Sequence, residues 1–231
     1  LEIDITAIND GINANYDLTI LDGDITINAG DDGVHASGSL MIAGGTVTVE
    51  KSGEGLEGHS VIIDGGRVDV AASDDGINAA GSSNSSNSSN SENSSGNGNK
   101  ESNTQNSNGE NRGMGGKGGG ADNPFEVDSD ASIVINGGTI HVNAGGDGID
   151  SNGTLKITGG TIVVEGPEND GNGALDVGSE AVITGGTFIA AGSSGMAVNF
   201  SSSSTQGAIL QTVNTTTGTI TLTDESGNTI L

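Results

Sequence analysis

Short apolar alternations, with no helical stripe among them, run along most of the chain. Val34/Ala36, Leu40/Ile42 and Val47/Val49 make one set of three, and Leu56/Gly58, Val61/Ile63 and Val68/Val70 make the next. Further on, Ile149/Ser151, Leu155/Ile157 and Ile162/Val164 repeat the arrangement. Alternation with period two puts successive side chains on opposite faces of a strand, so each set predicts three short strands with one buried face. Apolar residues spaced for a helix are missing, which disfavours a leucine-rich repeat with a helical return.

The sets are copies of one unit. Asp10-Gly11-Ile12-Asn13-Ala14 returns as Asp32-Gly33-Val34-His35-Ala36, Glu54-Gly55-Leu56-Glu57-Gly58, Asp75-Gly76-Ile77-Asn78-Ala79 and Asp147-Gly148-Ile149-Asp150-Ser151. Worn copies follow at Ala174–Val177 and Ala197–Phe200. The pairs Gly44-Gly45, Gly65-Gly66, Gly137-Gly138, Gly159-Gly160 and Gly185-Gly186 run in phase. The period is about 22 residues, too long for hexapeptide or nonapeptide solenoids. Three strands per turn, stacked turn on turn, predict an all-β chain: a right-handed, three-sheet parallel β-helix over residues 1–205. The glycine pairs fit the corners between sheets.

Two stretches leave the pattern. Asp75 and Asp147 stand 72 residues apart, and from residue 81 to 124 the chain is mostly serine, asparagine and glycine. Such a segment cannot bury enough surface to offset its ordering entropy, so a disordered insertion looping out between turns is expected, with the Asp75 and Asp147 turns as spatial neighbours. From 206 to 231 the period is lost. Strand-like runs at Ala208–Val213 and Thr217–Thr223 and a turn at Glu225–Asn228 predict a C-terminal β cap.

Charge sharpens the picture. Thirty-one acidic residues face six basic ones, a formal net charge of −25, which excludes the basic footprint that nucleic acid or an anionic membrane requires. Cysteine is absent, so there is no disulfide framework and no thiolate metal site. No apolar run approaches the roughly 20 residues of a membrane-spanning helix. The chain opens at Leu1 inside a strand-like pattern, and any targeting segment is expected to lie outside it.

Stacking converts the acidic repeat into an electrostatic problem. One column reads Asp10, Asp32, Glu54, Asp75, Asp147; an outward-pointing one reads Asn13, His35, Glu57, Asn78, Asp150, Asp176, Asn199; a patchy third holds Asp31 and Asp74. Neighbouring rungs lie about 4.8 Å apart, and like charges at that distance repel by roughly 1 kcal/mol even in water. A calcium ion with oxygen ligands at about 2.3–2.6 Å would span two rungs, and hard oxygen donors favour it over zinc or copper. The expected ligands are Glu54, Glu57, Asp74, Asp75, Asn78, Asp147 and Asp150, with Asp10, Asp31 and Asp32 as a second site bordered by His35, for two or three ions in all. The plain alternative is that these acids only solubilise the rod and make Asx turns.

The repeated Asp-Asp-Gly-(Ile/Val)-(Asn/His)-Ala at Asp31–Ala36 and Asp74–Ala79, with Glu54-Gly55-Leu56-Glu57, the Gly-Gly-Thr corners and the Ser/Asn/Gly insertion, resembles the calcium-containing carbohydrate-binding β-helix family of bacterial surface proteins. The resemblance covers about residues 8–200. It implies a fold akin to pectate lyases, bound calcium at the acidic positions just named, and recognition of plant-wall polysaccharide such as pectin or cellulose. The leading acid is missing at Ala174 and Ala197, which leaves those copies without the implied metal role.

The expected function is therefore calcium-dependent, non-catalytic binding of acidic polysaccharide by a monomer, outside the cell or on its surface. With no Trp and a single Tyr, Tyr16, aromatic platforms for a neutral glycan are scarce, whereas a bound cation could bridge protein and uronate carboxylates. A polysaccharide lyase is the first alternative. Its base would come from Lys51, Arg67 or Lys156, and Lys156 projects outward from a strand among apolar column-mates. A threonine array for ice or crystal binding is the second: Thr46, Thr48, Thr139, Thr161 and Thr187 follow the glycine corners, but Arg67, Asp69 and His141 interrupt them.

Overall fold

The computed structural model describes residues 1–80, 127–214 and 219–230, and its strands are all parallel. One sheet stacks seven rungs: Glu2–Thr6, Asp24–Asn28, Thr46–Ser52, Arg67–Ala72, Thr139–Ala144, Thr161–Glu165 and Thr187–Ala191. Each pairs with the next, as in Ile25 with Val47, Val47 with Val68 and Ile140 with Ile162. The chain is a β-solenoid of about 22 residues per turn, as the repeat predicts.

The other two segments of each rung join into one ten-stranded sheet rather than two separate ones. In the second and third rungs they run through as single strands, Val34–Ile42 and Leu56–Ile63, with a register shift between Ala36 and Ser39 marking the bend. Elsewhere they stay apart, as in Ile149–Ser151 and Thr154–Ile157. Three faces per turn are thus built from two hydrogen-bonded sheets.

Inward positions form continuous aliphatic stacks. Val34, Leu56, Ile77 and Ile149 lie one above another with no exposed surface, and so do Ile42, Ile63, Ile135 and Ile157. Full burial of one such side chain is worth about 1.5–3 kcal/mol, and because each stack is shared between rungs, no single turn is stable alone. The last rung ends on Phe188, met edge-on by Phe200 with ring centroids 5.1 Å apart.

Glycine serves two different geometries. The second residue of each Gly-Gly corner, from Gly45 to Gly186, has φ between 80° and 91°, which side chains rarely adopt. The glycine of the Asp-Gly step has an ordinary φ and is required by crowding: a Cβ on Gly33 would stand 2.6 Å from the carbonyl oxygen of Gly55 on the next rung and 2.7 Å from Val49.

Residues 81–126, with the expected loop at 81–124, lie outside the described residues. Their flanks are fixed: Ala80 N–H donates to Gly58 O at 3.2 Å, and Asp128 N–H to Asn152 O at 3.0 Å. The strands on either side, Ile77–Ala79 and Ser132–Ile135, both pair with Leu56–Ile63 and belong to one rung. As expected, the Asp75 and Asp147 turns are neighbours, with Gly76 N–H donating to Asp147 O at 2.9 Å.

The C-terminal stretch follows the expectation only in part. The turn forms: Asp224 Oδ1 accepts from the N–H groups of Ser226 and Asn228, Gly227 has φ 83°, and an antiparallel bridge joins Thr223 to Thr229. Ala208–Val213 carries no strand, and Ile209 and Leu210 are exposed. Alternation there marks strand propensity without supplying a pairing partner. The final ladder edge is instead met by residues just before it, with Ser201 N–H on Ala181 O and Ser204 Oγ accepting from Ile183 N–H.

Candidate functional site

The acidic columns stand where the seven-stranded sheet turns into the first segment of its partner, a corner set by the Asp-Gly step. Pairing is in register: His35 over Glu57, Glu57 over Asn78, Asn78 over Asp150, and Asp150 over Asp176. The corner residues stack through their backbones, with the N–H of Gly33, Gly55 and Gly76 on the carbonyls of Glu54, Asp75 and Asp147 at 2.9 Å.

Three clusters result, in each of which one ligand atom per residue lies within 4.8 Å of the others: Asp10, Asp32 and His35; Asp32, Glu54 and Glu57; and Asp75, Asp147 and Asp150. Asp32 belongs to the first two. His35 is a full member of the first, and its Nε2 also lies 3.6 Å from Glu57 Oε2 of the second. Asp31 and Asp74, expected as ligands, are exposed and stand outside all three clusters. Their charges nonetheless act on the clusters, Asp31 on Asp32 and Asp74 on Asp75.

The second column faces away from the core, yet at Asn78 it is closed to water. Asn78 is only 8 % exposed. Its Nδ2 donates to Glu54 Oε2 at 2.9 Å, while its Oδ1 is buried and accepts no hydrogen bond. An unpaired buried carbonyl costs about 1–3 kcal/mol, and this one sits between the second and third clusters.

Partial burial drives the carboxyls toward their neutral form. Desolvation, helped by the facing Glu57, pushes Asp32 up to about 8. Desolvation and the charges of Asp75, Asp147 and Asp176 take Asp150 to about 8 as well. Glu54 rises to about 7 despite the Asn78 hydrogen bond, and Asp75 to about 6 despite accepting the Asp147 N–H at 2.6 Å. Glu57 and Asp147 are also raised, both mainly by desolvation. The interaction between Asp32 and Glu57 adds to the rise of the first and works against that of the second. Carboxyls crowded in this way are relieved by a proton or by a cation.

The donors suit a hard divalent ion. Each cluster offers carboxylate oxygens, the first adds one imidazole, and the free amide oxygen of Asn78 lies between the second and the third. That is fewer than the 6–8 oxygens calcium takes, so an ion held here would keep positions for water or a ligand.

The residues of the alternative readings lie elsewhere. Lys156 is exposed on the far segment of the ten-stranded sheet, between Val134 and Val182. Arg67 is engaged by Asp69, with Nε 2.7 Å from Oδ2. Thr139, Thr161 and Thr187 do stack in one column, but Arg67 separates them from Thr46, and the next column passes from Thr48 through Asp69 and His141 to Val163.

No curated protein and no solved structure matches the chain. A family profile does, over residues 2–171, a span that takes in all three clusters. The chain belongs to the family described as carbohydrate-binding domain-containing protein.

Proposed function

We propose that this carbohydrate-binding chain holds two or three calcium ions along its acidic corner and uses them to bind acidic plant-wall polysaccharide, polygalacturonate above all, without cleaving it. The observation that carries the reading is Asn78 Oδ1, a buried acceptor without a donor among crowded carboxylates. A cation satisfies that oxygen and the repulsion around it together. The ligands would be Asp10, Asp32 and His35 in the first position, Asp32, Glu54, Glu57 and Asn78 in the second, and Asp75, Asp147 and Asp150 in the third. Bound calcium supplies open coordination positions that a uronate carboxylate can enter, and this lets a polyanion approach a chain of net charge −25. A setting outside the cell or on its surface, where such polymers occur, agrees with this reading.

Elemental analysis of protein purified in calcium, followed by pull-down on polygalacturonate with and without chelator, tests it. Two or three calcium ions per chain and chelator-sensitive binding are expected. Protein that carries no calcium, or that stays on the polymer after the metal is stripped, would sink the reading.

A further inference from the structure

The solenoid keeps a strict step except where it gains residues. Val34 lies over Leu56 and Leu56 over Ile77, offsets of 22 and 21, whereas Ile149 lies over Leu175, an offset of 26. The added residues lengthen the connection after Thr161–Glu165, between Glu165 and Leu175. In repeat folds, such insertions form loops on one face, often the binding face.

This loop is pinned at several points. Asn169 Nδ2 donates to Gly145 O at 3.2 Å on the preceding rung, and Asn169 Oδ1 accepts from Gly171 N–H at 3.0 Å. Ser193 donates through its N–H to Pro167 O at 2.8 Å and through its hydroxyl to Asp170 Oδ1 at 2.5 Å. The loop thus makes a fixed wall for a concavity of about 640 Å³, with Asn143, Glu165, Glu168 and Asn169 at its sides and Ala144 and Gly145 at its floor. Glu165 is held from two sides, by His141 Nε2 at 3.4 Å from Oε1 and by Asn143 Nδ2 at 3.5 Å from Oε2.

We propose that this cleft is a saccharide subsite for an uncharged sugar unit, working without calcium. The proposal rests on the family's carbohydrate role and not on the calcium reading. Carboxylates and amides on fixed supports can accept from and donate to vicinal hydroxyls, and a floor of small residues lets a pyranose ring lie against the backbone. The volume falls in the range of small-ligand pockets, about 300–1,000 Å³. Two glutamates in a strongly acidic chain repel a uronate, so the occupant is a neutral sugar; the same connection borders the third cluster, where Gly173 N–H donates to Asp147 Oδ1 at 2.5 Å.

The test is calorimetric titration of the whole chain, calcium-loaded and metal-free, with galactotetraose, cellotetraose, xylotetraose and trigalacturonate. At least one neutral tetraose should bind, with affinity unchanged within twofold on removing calcium. Asn143→Ala, Glu165→Ala and Glu168→Ala, all in exposed positions, should each weaken that affinity tenfold or more while leaving the melting temperature, calcium content and trigalacturonate binding unaltered. The proposal is overturned if no neutral tetraose binds, if the three variants bind it as the parent does, or if its binding disappears with the metal. Loss of trigalacturonate binding on stripping calcium bears on the carboxylate corner alone, so failure of one proposal leaves the other readable.

Discussion

Removing the metal and raising the pH should destabilise this protein in a defined window. Asp32 and Asp150 are held at about 8, Glu54 at about 7 and Asp75 at about 6, against ordinary carboxyl values near 4. These pKa values are raised in the fold, so the native state keeps protons that the unfolded chain has already released. Stability of the metal-free protein is therefore greatest at about pH 4 and falls as pH rises through about 8. Each pKa unit is worth about 1.4 kcal/mol, so ionising the better-buried Asp150 alone costs on the order of 5 kcal/mol and Glu54 or Asp75 about 3, while Asp32, more open to water and its screening, costs less. The costs do not add, because the neighbouring carboxyls raise one another and titrate as coupled groups. A net loss on the order of 5 kcal/mol between pH 5 and pH 8.5 follows, a large fraction of a typical domain's stability.

Calcium should reverse the slope. It binds deprotonated ligands, and an ion present at 1,000 times its Kd adds about 4 kcal/mol per site. The assay is urea unfolding at fixed ionic strength from pH 4.5 to 8.5, on protein passed over chelating resin and then measured with or without millimolar calcium. The midpoint should fall with pH in the metal-free series and stay level or rise in the calcium series, the two diverging above about pH 6. Metal-free protein that is as stable at pH 8.5 as at pH 5, or calcium that stabilises equally at both, would refute the crowded-carboxylate account.

Four single substitutions probe the acidic corner, the rung contacts and the far face. Asn78→Ala should cost about tenfold in calcium affinity, about 1.4 kcal/mol, read by titration calorimetry, and leave metal-free stability nearly unchanged because the unpaired Oδ1 goes with the amide. Glu54→Gln should raise metal-free stability at pH 8 by about 1–2 kcal/mol by removing one buried charge and lower the calcium count by one, measured by elemental analysis. Gly33→Ala should destabilise by about 3 kcal/mol or more in denaturant unfolding, since its Cβ meets the Gly55 carbonyl of the next rung where neither backbone can yield. Incubation with polygalacturonate should give no rise in unsaturated-product absorbance, and Lys156→Ala should leave polymer binding unaltered, as that side chain is on a different face from the acidic corner.

How far the sequence could be read depends on what translation along the solenoid preserves. In a rod of equal turns a residue's neighbour is found by adding 22, so Val34, Leu56 and Ile77 could be assigned to one core stack and Asp32 and Glu54 to one corner before any coordinates. The Gly-Gly corners were legible for the same reason, because a positive φ leaves its mark at every turn. Period-two alternation, however, gives only the sign of a side chain's direction. It places Asn78 on the outer side correctly and says nothing about cover, so the burial of that amide and its idle oxygen were not visible, and neither was the exposure of Asp31 and Asp74 one position earlier. His35 could be placed beside the first cluster from its column, but its membership depends on the reach of its ring toward Asp10 and Asp32.

Where the step changes, addition fails. The four residues gained between Ile149 and Leu175 have no counterpart in the other turns, so their path is set by particular hydrogen bonds, Asn169 to Gly145 and Ser193 to Asp170, that no periodic pattern encodes. The same holds for Ala208–Val213, whose alternation is sound but whose neighbour is not one period away. A repeat must satisfy the rung above and the rung below at each position, which leaves it little freedom to shape a cavity. A loop freed from that demand can do so, and the open concavity at Asn143, Glu165 and Asn169 lies against such a loop. Shortening the connection between Glu165 and Leu175 to the length found in other turns, with Gly173 and its bond to Asp147 kept, should therefore leave the ladder and the acidic corner in place and remove the cleft.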